Sequence, residues 1–117
     1  MTTLSELNLS YNQISSINGI EELTQLRDLR LNHNKISDIE PISKLLNIKI
    51  LGLFYNDLLD KDSTMDVLKK LKLKELSIDG NPCSRGPEFG YELLMRLPSL
   101  KVLNEETVKE LDRDVAA

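Results

Sequence analysis

The residues able to do chemistry are few and poorly spaced for it. His33 and Cys83 are the only histidine and the only cysteine of the chain. A thiolate–imidazole pair would need them side by side, yet they belong to repeat units two apart and to different parts of the unit. One histidine and one cysteine also leave most protein zinc sites without ligands. A lone cysteine closes no internal disulfide, which favours a reducing compartment. Glu105 and Glu106 are paired carboxylates, but their polar neighbours predict a capping helix with no cleft beside it. The five glycines are scattered over turns and build no phosphate-cradling loop. Asn8-Leu9-Ser10 matches a glycosylation sequon inside a predicted strand, where chance is the better reading. These residues predict a protein that is not an enzyme and uses neither metal nor cofactor.

What the chain does carry is a period. Leu4, Leu7, Leu9, Asn12, Ile14, Ile17, Ile20 and Leu23 recur 22 residues later as Leu26, Leu29, Leu31, Asn34, Ile36, Ile39, Ile42 and Leu45. If each position matched by chance about one time in ten, all eight would match roughly once in 10⁸ trials. A third copy opens with Ile48, Leu51, Leu53, Asn56 and Leu58, and a fourth with Leu73, Leu76, Ile78 and Asn81. A degenerate fifth begins at Leu100 and Leu103. Leucine supplies 23 of the 117 residues and isoleucine 9, with no tryptophan. The core is therefore expected to be aliphatic and repetitive.

The spacing predicts the unit. Leu7 and Leu9 alternate, so both face one side of a short strand while Glu6, Asn8 and Ser10 face the other. Ile14, Ile17 and Ile20 step by three, which suits 3₁₀ or irregular helical turns on the opposite edge. One such unit cannot bury its own apolar face, so units stack into a curved solenoid. Leu7, Leu29, Leu51, Leu76 and Leu103 form one core column. Asn12, Asn34, Asn56 and Asn81 sit where the chain leaves the sheet and backbone groups lose their partners. An amide offers both donor and acceptor there, which predicts a ladder of asparagines.

Departures from the period locate further elements. The third unit is 25 residues long. Its segment from Asp62 to Leu71 predicts a true helix with Asp62 or Ser63 as N-cap and basic residues near its end. After Asn81-Pro82, Pro87 in a first turn and Phe89, Leu93, Leu94 and Leu97 predict a second helix. Residues 97–104 predict a last strand, and Asn104 reads as the N-cap of a final polar helix that would cap the stack.

The pattern L-x-x-L-x-L-x-x-N-x-I resembles the leucine-rich repeat signature, and its 22-residue units resemble the class found in the protein-phosphatase-1 regulatory subunit. Gly80-Asn81-Pro82-Cys83, Tyr91 and Leu97-Pro98-Ser99-Leu100-Lys101-Val102-Leu103-Asn104 are similar to the C-terminal cap shared with axonemal dynein light chain, the spliceosomal A-prime protein and acidic nuclear phosphoproteins. The chain departs from that pattern at Asn104, where the family often has Asp, and at Lys61, where the period expects Ile. The resemblance implies one α/β leucine-rich repeat domain over residues 1–117. It is expected to be a right-handed solenoid with about five parallel strands on its concave side and short helical or 3₁₀ turns on its convex side. Repeats would start near residues 4, 26, 48 and 73, with a cap over about 81–113. Roles as a regulatory subunit, a dynein-associated light chain or a ribonucleoprotein component are implied alike.

Side chains between the core leucines line the concave sheet in columns. The first reads Glu6, Asp28, Ile50, Glu75 and Val102; the second Asn8, Arg30, Gly52, Ser77 and Asn104. The third reads Ser10, Asn32, Phe54 and Asp79, and the fourth Tyr11, His33, Tyr55 and Gly80. A sheet position facing solvent has no folding need for Phe or Ile, so Ile50, Phe54 and Tyr55 suggest a contact patch. Gly52 among them would leave a hollow for a partner side chain. Glu6, Asp28, Glu75 and Asp79 form an acidic rim broken by Arg30. A helix or peptide with apolar anchors and basic flanks would complement this face. The competing reading is that the rings stack between repeats and shield strand edges, with His33 as a spacer.

Net charge is −4, which argues against an electrostatic grip on nucleic acid or anionic lipid. The convex lysines Lys69, Lys70, Lys72 and Lys74 are the one candidate RNA contact and read better as a solvated face. No apolar run approaches the ~18 residues that span a bilayer, and no signal peptide is visible. An intracellular, cytoplasmic location is expected, with nucleus or cilium as variants. At the other end Leu4 is already a repeat position with nothing polar before it. Three expectations follow: a fragment of a longer solenoid, end-to-end self-association, or a tolerated open end.

Overall fold

The computed structural model describes residues 4–86 and 88–108. Each repeat begins with a three-residue strand, because only the alternating L-x-L segment can both join a sheet and turn its apolar side chains inward. The strands are β1 (Glu6–Asn8), β2 (Asp28–Arg30), β3 (Ile50–Gly52), β4 (Glu75–Ser77), β5 (Val102–Leu103) and β6 (Glu106–Thr107). They pair in chain order, β1 to β5 in parallel and β6 antiparallel to β5. Register follows the period: Leu7, Leu29, Leu51, Leu76 and Leu103 lie side by side, one per strand. Leu29, Leu51 and Leu76 are fully buried, whereas Leu7 and Leu103 at the ends are only partly covered. The molecule extends 44 × 25 × 21 Å.

The convex side follows the length of each unit. The two 22-residue units return through short 3₁₀ turns at Ile20–Glu22 and Glu40–Lys44, which place Ile20 and Ile42 in the core. The longer third unit has room for helix α1 (Lys61–Leu68), burying Thr64, Met65, Val67 and Leu68. Its N-cap is Asp60, not Asp62 or Ser63: the Asp60 carboxylate accepts the Asp62 and Ser63 backbone N–H groups at 3.0 and 3.3 Å. Starting two residues early puts Lys61 in the first turn, where its Nζ lies 3.0 Å from Glu92 Oε1 of helix α2 (Glu88–Arg96). That ion pair holds the Lys61 ammonium above its ordinary pKa through the hydrogen bond to Glu92. It also accounts for the lysine where the period asks for Ile. Pro87, the expected first residue of α2, lies outside the described residues.

The C-terminal cap departs from expectation. Asn104 starts no helix. Asn104 and Glu105 both take left-handed conformations, φ 51° and 67°, the pair of angles that a two-residue type I′ hairpin requires. The chain therefore reverses, and β6 adds an antiparallel strand to the five parallel ones expected. An Asn followed by polar residues suits a helix N-cap and a type I′ turn alike. Here tertiary structure chooses the turn, because the Asn104 side chain accepts the Ile78 and Asp79 N–H groups at 2.8 and 3.1 Å. The rest of the expected final helix, residues 109–113, lies outside the described residues.

Candidate functional site: the concave sheet face

Beneath the face lies the asparagine ladder. Asn34, Asn56 and Asn81 are buried. Asn34 Nδ2 donates to Leu9 O of the preceding unit and to Leu31 O of its own at 3.1 and 3.0 Å, while its Oδ1 accepts the Ile14 N–H. Asn56 repeats the set one unit on, with Leu31 O, Leu53 O and the Ile36 N–H. Asn81 takes Leu53 O and Ile78 O and accepts from Asn56 N–H and Leu58 N–H. Asn12 is different. It is exposed and bonds only within its own unit, to Leu9 O and Ser10 O.

A second polar ladder runs on the outer face, and the column assignments alone did not reveal it. Ser10 Oγ accepts the Asn32 N–H at 3.1 Å, and Asn32 Oδ1 accepts the Phe54 N–H at 2.8 Å. The first two outward side chains of the third column thus hold the backbone of the next unit. Phe54 has no acceptor to continue the series, and Asn104 supplies one to Asp79 from the far side. The signal was present in the sequence as short polar residues at Ser10 and Asn32.

The fourth column is a stack of rings. Tyr11 lies on His33 with centroids 4.4 Å apart at 11°, and His33 lies on Tyr55 at 4.8 Å and 24°. All three have positive φ, 61°, 57° and 55°, which costs roughly 1–2 kcal/mol for a residue with a Cβ. The bend directs their N–H groups at the carbonyls of Asn32, Phe54 and Asp79 in the next unit, at 2.9, 2.7 and 3.0 Å. His33 is thus a spacer between rings. Gly80 ends the column at φ 85°, and a Cβ there would run into the Tyr55 ring. Gly80→Ala should cost about 1–2 kcal/mol through both strain and the displaced ring. Urea unfolding checks this, and wild-type stability would show that the stack yields freely.

The remaining site residues lie along the strands. Register sets Glu6, Asp28, Ile50, Glu75 and Val102 side by side. The acidic rim is weaker than its composition suggests, because Arg30 grips Asp28 with two hydrogen bonds, Nε to Oδ1 at 2.9 Å and Nη2 to Oδ2 at 3.1 Å. Those bonds, with the carboxylates of Glu75 and Glu6 behind them, hold the guanidinium above its ordinary pKa. Ile50 and Phe54 are half-buried, Tyr11 and Tyr55 are 77% and 57% exposed, and Asp79 is exposed. Phe54 and Tyr55 lie 6.2 Å apart, tilted by 44°. The hollow expected over Gly52 is partly filled: a Cβ there would sit 2.9 Å from Asn32 Oδ1, so the glycine admits the Asn32 carboxamide. A smaller hollow remains beside it. Away from this face, Cys83 is buried, and burial pushes its thiol pKa up, which keeps it protonated and unreactive.

Comparison with known proteins agrees with this architecture. A family model described as leucine-rich repeats (2 copies) matches residues 2–44. A chain of the Drosophila melanogaster SNF/U2A′ complex superposes with a TM-score of 0.79 and 26% identity, covering 96% of this chain and 66% of that one. An internalin from Listeria monocytogenes gives 0.74 and 26%, covering 97% and 32%. A leucine-rich repeat protein of Leptospira interrogans gives 0.68 and 31%, covering 85% and 25%. No curated protein sequence matches. The chain thus carries leucine-rich repeats in the solenoid fold of such proteins, and it spans two thirds or less of the length of these relatives.

Proposed function

We propose that this chain is a non-catalytic protein-interaction module that holds a helix or peptide of its partner on the concave face, in a regulatory or adaptor role. The observation carrying this reading is Phe54. Its column serves the fold elsewhere by offering acceptors to the next unit, from Ser10 and Asn32. Phe54 abandons that service, and Asn104 must make good the missing bond. The half-buried Phe54 ring gives up a hydrogen bond of the scaffold and still leaves apolar surface to solvent. The face gains an apolar anchor beside Tyr55, the kind of residue that dominates interface energy. Leucine-rich repeats generally mediate protein–protein contact, and one structural relative comes from a two-protein complex, which supports the same reading. A cytoplasmic or nuclear setting suits it.

The test uses twelve-residue peptides selected on the immobilised wild-type chain from a random display library. Phe54→Ala should weaken the selected peptides about tenfold or more while the melting temperature moves by only a few degrees. Affinity unchanged by that substitution would remove Phe54 from the interface and this reading with it.

A second reading, self-association, has one observation in its favour. Leu7, Leu9 and Ile14 are only partly covered and line a shallow apolar depression of about 350 Å³ with Ile17, Ile20 and Leu23. Sedimentation velocity over a wide concentration range separates the two, since a monomer throughout excludes this alternative.

A further inference from the structure

The face carries a second anchor point besides Phe54. Beside the Asn32 carboxamide a hollow of about 70 Å³ opens over Gly52 and Ser77, walled by Ile50 and Val102. Glu75 lies between those two aliphatic side chains in the register of the sheet, and Glu105 reaches the hollow from the β5–β6 turn. Arg30 borders the opposite side, but Asp28 binds it through both carboxylate oxygens. Among the described residues no cationic group lies within 4.0 Å of Glu75 or Glu105. Three charged groups therefore line the hollow, Arg30, Glu75 and Glu105, and the one cation among them is already held by Asp28.

We infer that this hollow takes the end of a lysine side chain from the bound partner. This inference rests on the concave face being the binding surface. The aliphatic walls suit a methylene stem, since lysine buries its stem on apolar surface while keeping its ammonium with polar partners. The Glu75 and Glu105 carboxylates, neither in an ion pair within 4.0 Å among the described residues, suit the ammonium. The volume holds only a few water molecules, which admits a compact ammonium and excludes an aromatic ring. Arginine fits less well: its planar fork prefers one carboxylate taken bidentately, as Arg30 already takes Asp28. Phe54 lies two residues past Gly52, the last residue of β3, so the two are roughly 7 Å apart or less. A lysine in the hollow and an apolar side chain on Phe54 would therefore come from neighbouring positions of one short segment.

The experiment uses the same selected peptides. Lysine should recur in them at a fixed spacing from an apolar residue. Replacing that lysine by norleucine should weaken binding to the wild type about tenfold. On a Glu75→Gln/Glu105→Gln variant with wild-type circular dichroism, the same replacement should change affinity less than about twofold. A lysine replacement that costs equally on both proteins, or arginine serving as well as lysine, overturns the assignment. Peptides weakened by Phe54→Ala yet indifferent to their lysine would sink the hollow alone. Peptides indifferent to Phe54→Ala but dependent on lysine and on both carboxylates uphold the hollow and move the centre of the interface away from Phe54. A library that yields no binder counts against both.

Discussion

Leu51→Ala should lower the free energy of unfolding by about 2–5 kcal/mol, whereas Leu7→Ala, the same chemistry in the same column, should cost clearly less. Leu51 is 1% exposed and lies between Leu29 and Leu76, both buried to the same degree. Its truncation leaves a cavity that strands locked on both sides cannot close. Leu7 has β2 on one side and only partial cover on the other, so less transfer energy is lost and the end can relax. In a solenoid each unit rests on its neighbours alone. A central defect therefore weakens two interfaces and a terminal defect one. Chemical denaturation followed by far-ultraviolet circular dichroism reads both variants. Equal costs at the two positions would show that stability does not depend on place in the stack.

This contrast marks how much the sequence made legible. Eight identities at a fixed spacing assign the leucines of the repeat their columns. Because the chain returns to the sheet once per unit, the same period sets the strand register and the concave columns. The unequal third unit announced α1 by its length and its buried Met65 and Leu68 positions. What the sequence did not disclose depends on groups brought together from different units. Asp60 takes the N-cap in place of Asp62 or Ser63, and the helix then opens on Lys61, which meets Glu92 of α2. Asn104 adopts a hairpin turn because its side chain finds the Ile78 and Asp79 N–H groups across the sheet. Arg30 and Asp28 are two apart on one strand, so their shared face was readable, but whether they would pair or both face a partner was a matter of geometry. Asn32 leaning over Gly52 to reach Phe54 N–H belongs to the same class. Period encodes what every unit does alike. It says little about what one unit does for another.

The ladder that all units share yields the other large effect. Asn56→Leu should destabilise the protein by about 1–3 kcal/mol, because it is nearly isosteric and leaves a buried N–H behind. Asn56 is 4% exposed. Its Oδ1 accepts the Ile36 N–H at 3.1 Å, and its Nδ2 donates to Leu31 O and Leu53 O at 2.9 and 3.2 Å. A leucine fills the space but leaves the buried Ile36 N–H without an acceptor, while Leu31 O and Leu53 O keep the Asn34 and Asn81 amides as donors. Each buried group left without a partner costs about 1–3 kcal/mol, and the gain from burying a leucine offsets only part of that cost. Asn12→Leu is the internal control. That amide is exposed and serves only its own turn, so the substitution should cost under about 1 kcal/mol. Guanidinium unfolding of Asn12→Leu, Asn34→Leu and Asn56→Leu should therefore set the first apart from the other two, whose amides each reach into the preceding unit. A flat series would mean that the asparagines merely shape the turn, and that the backbone at the sheet exit is satisfied some other way.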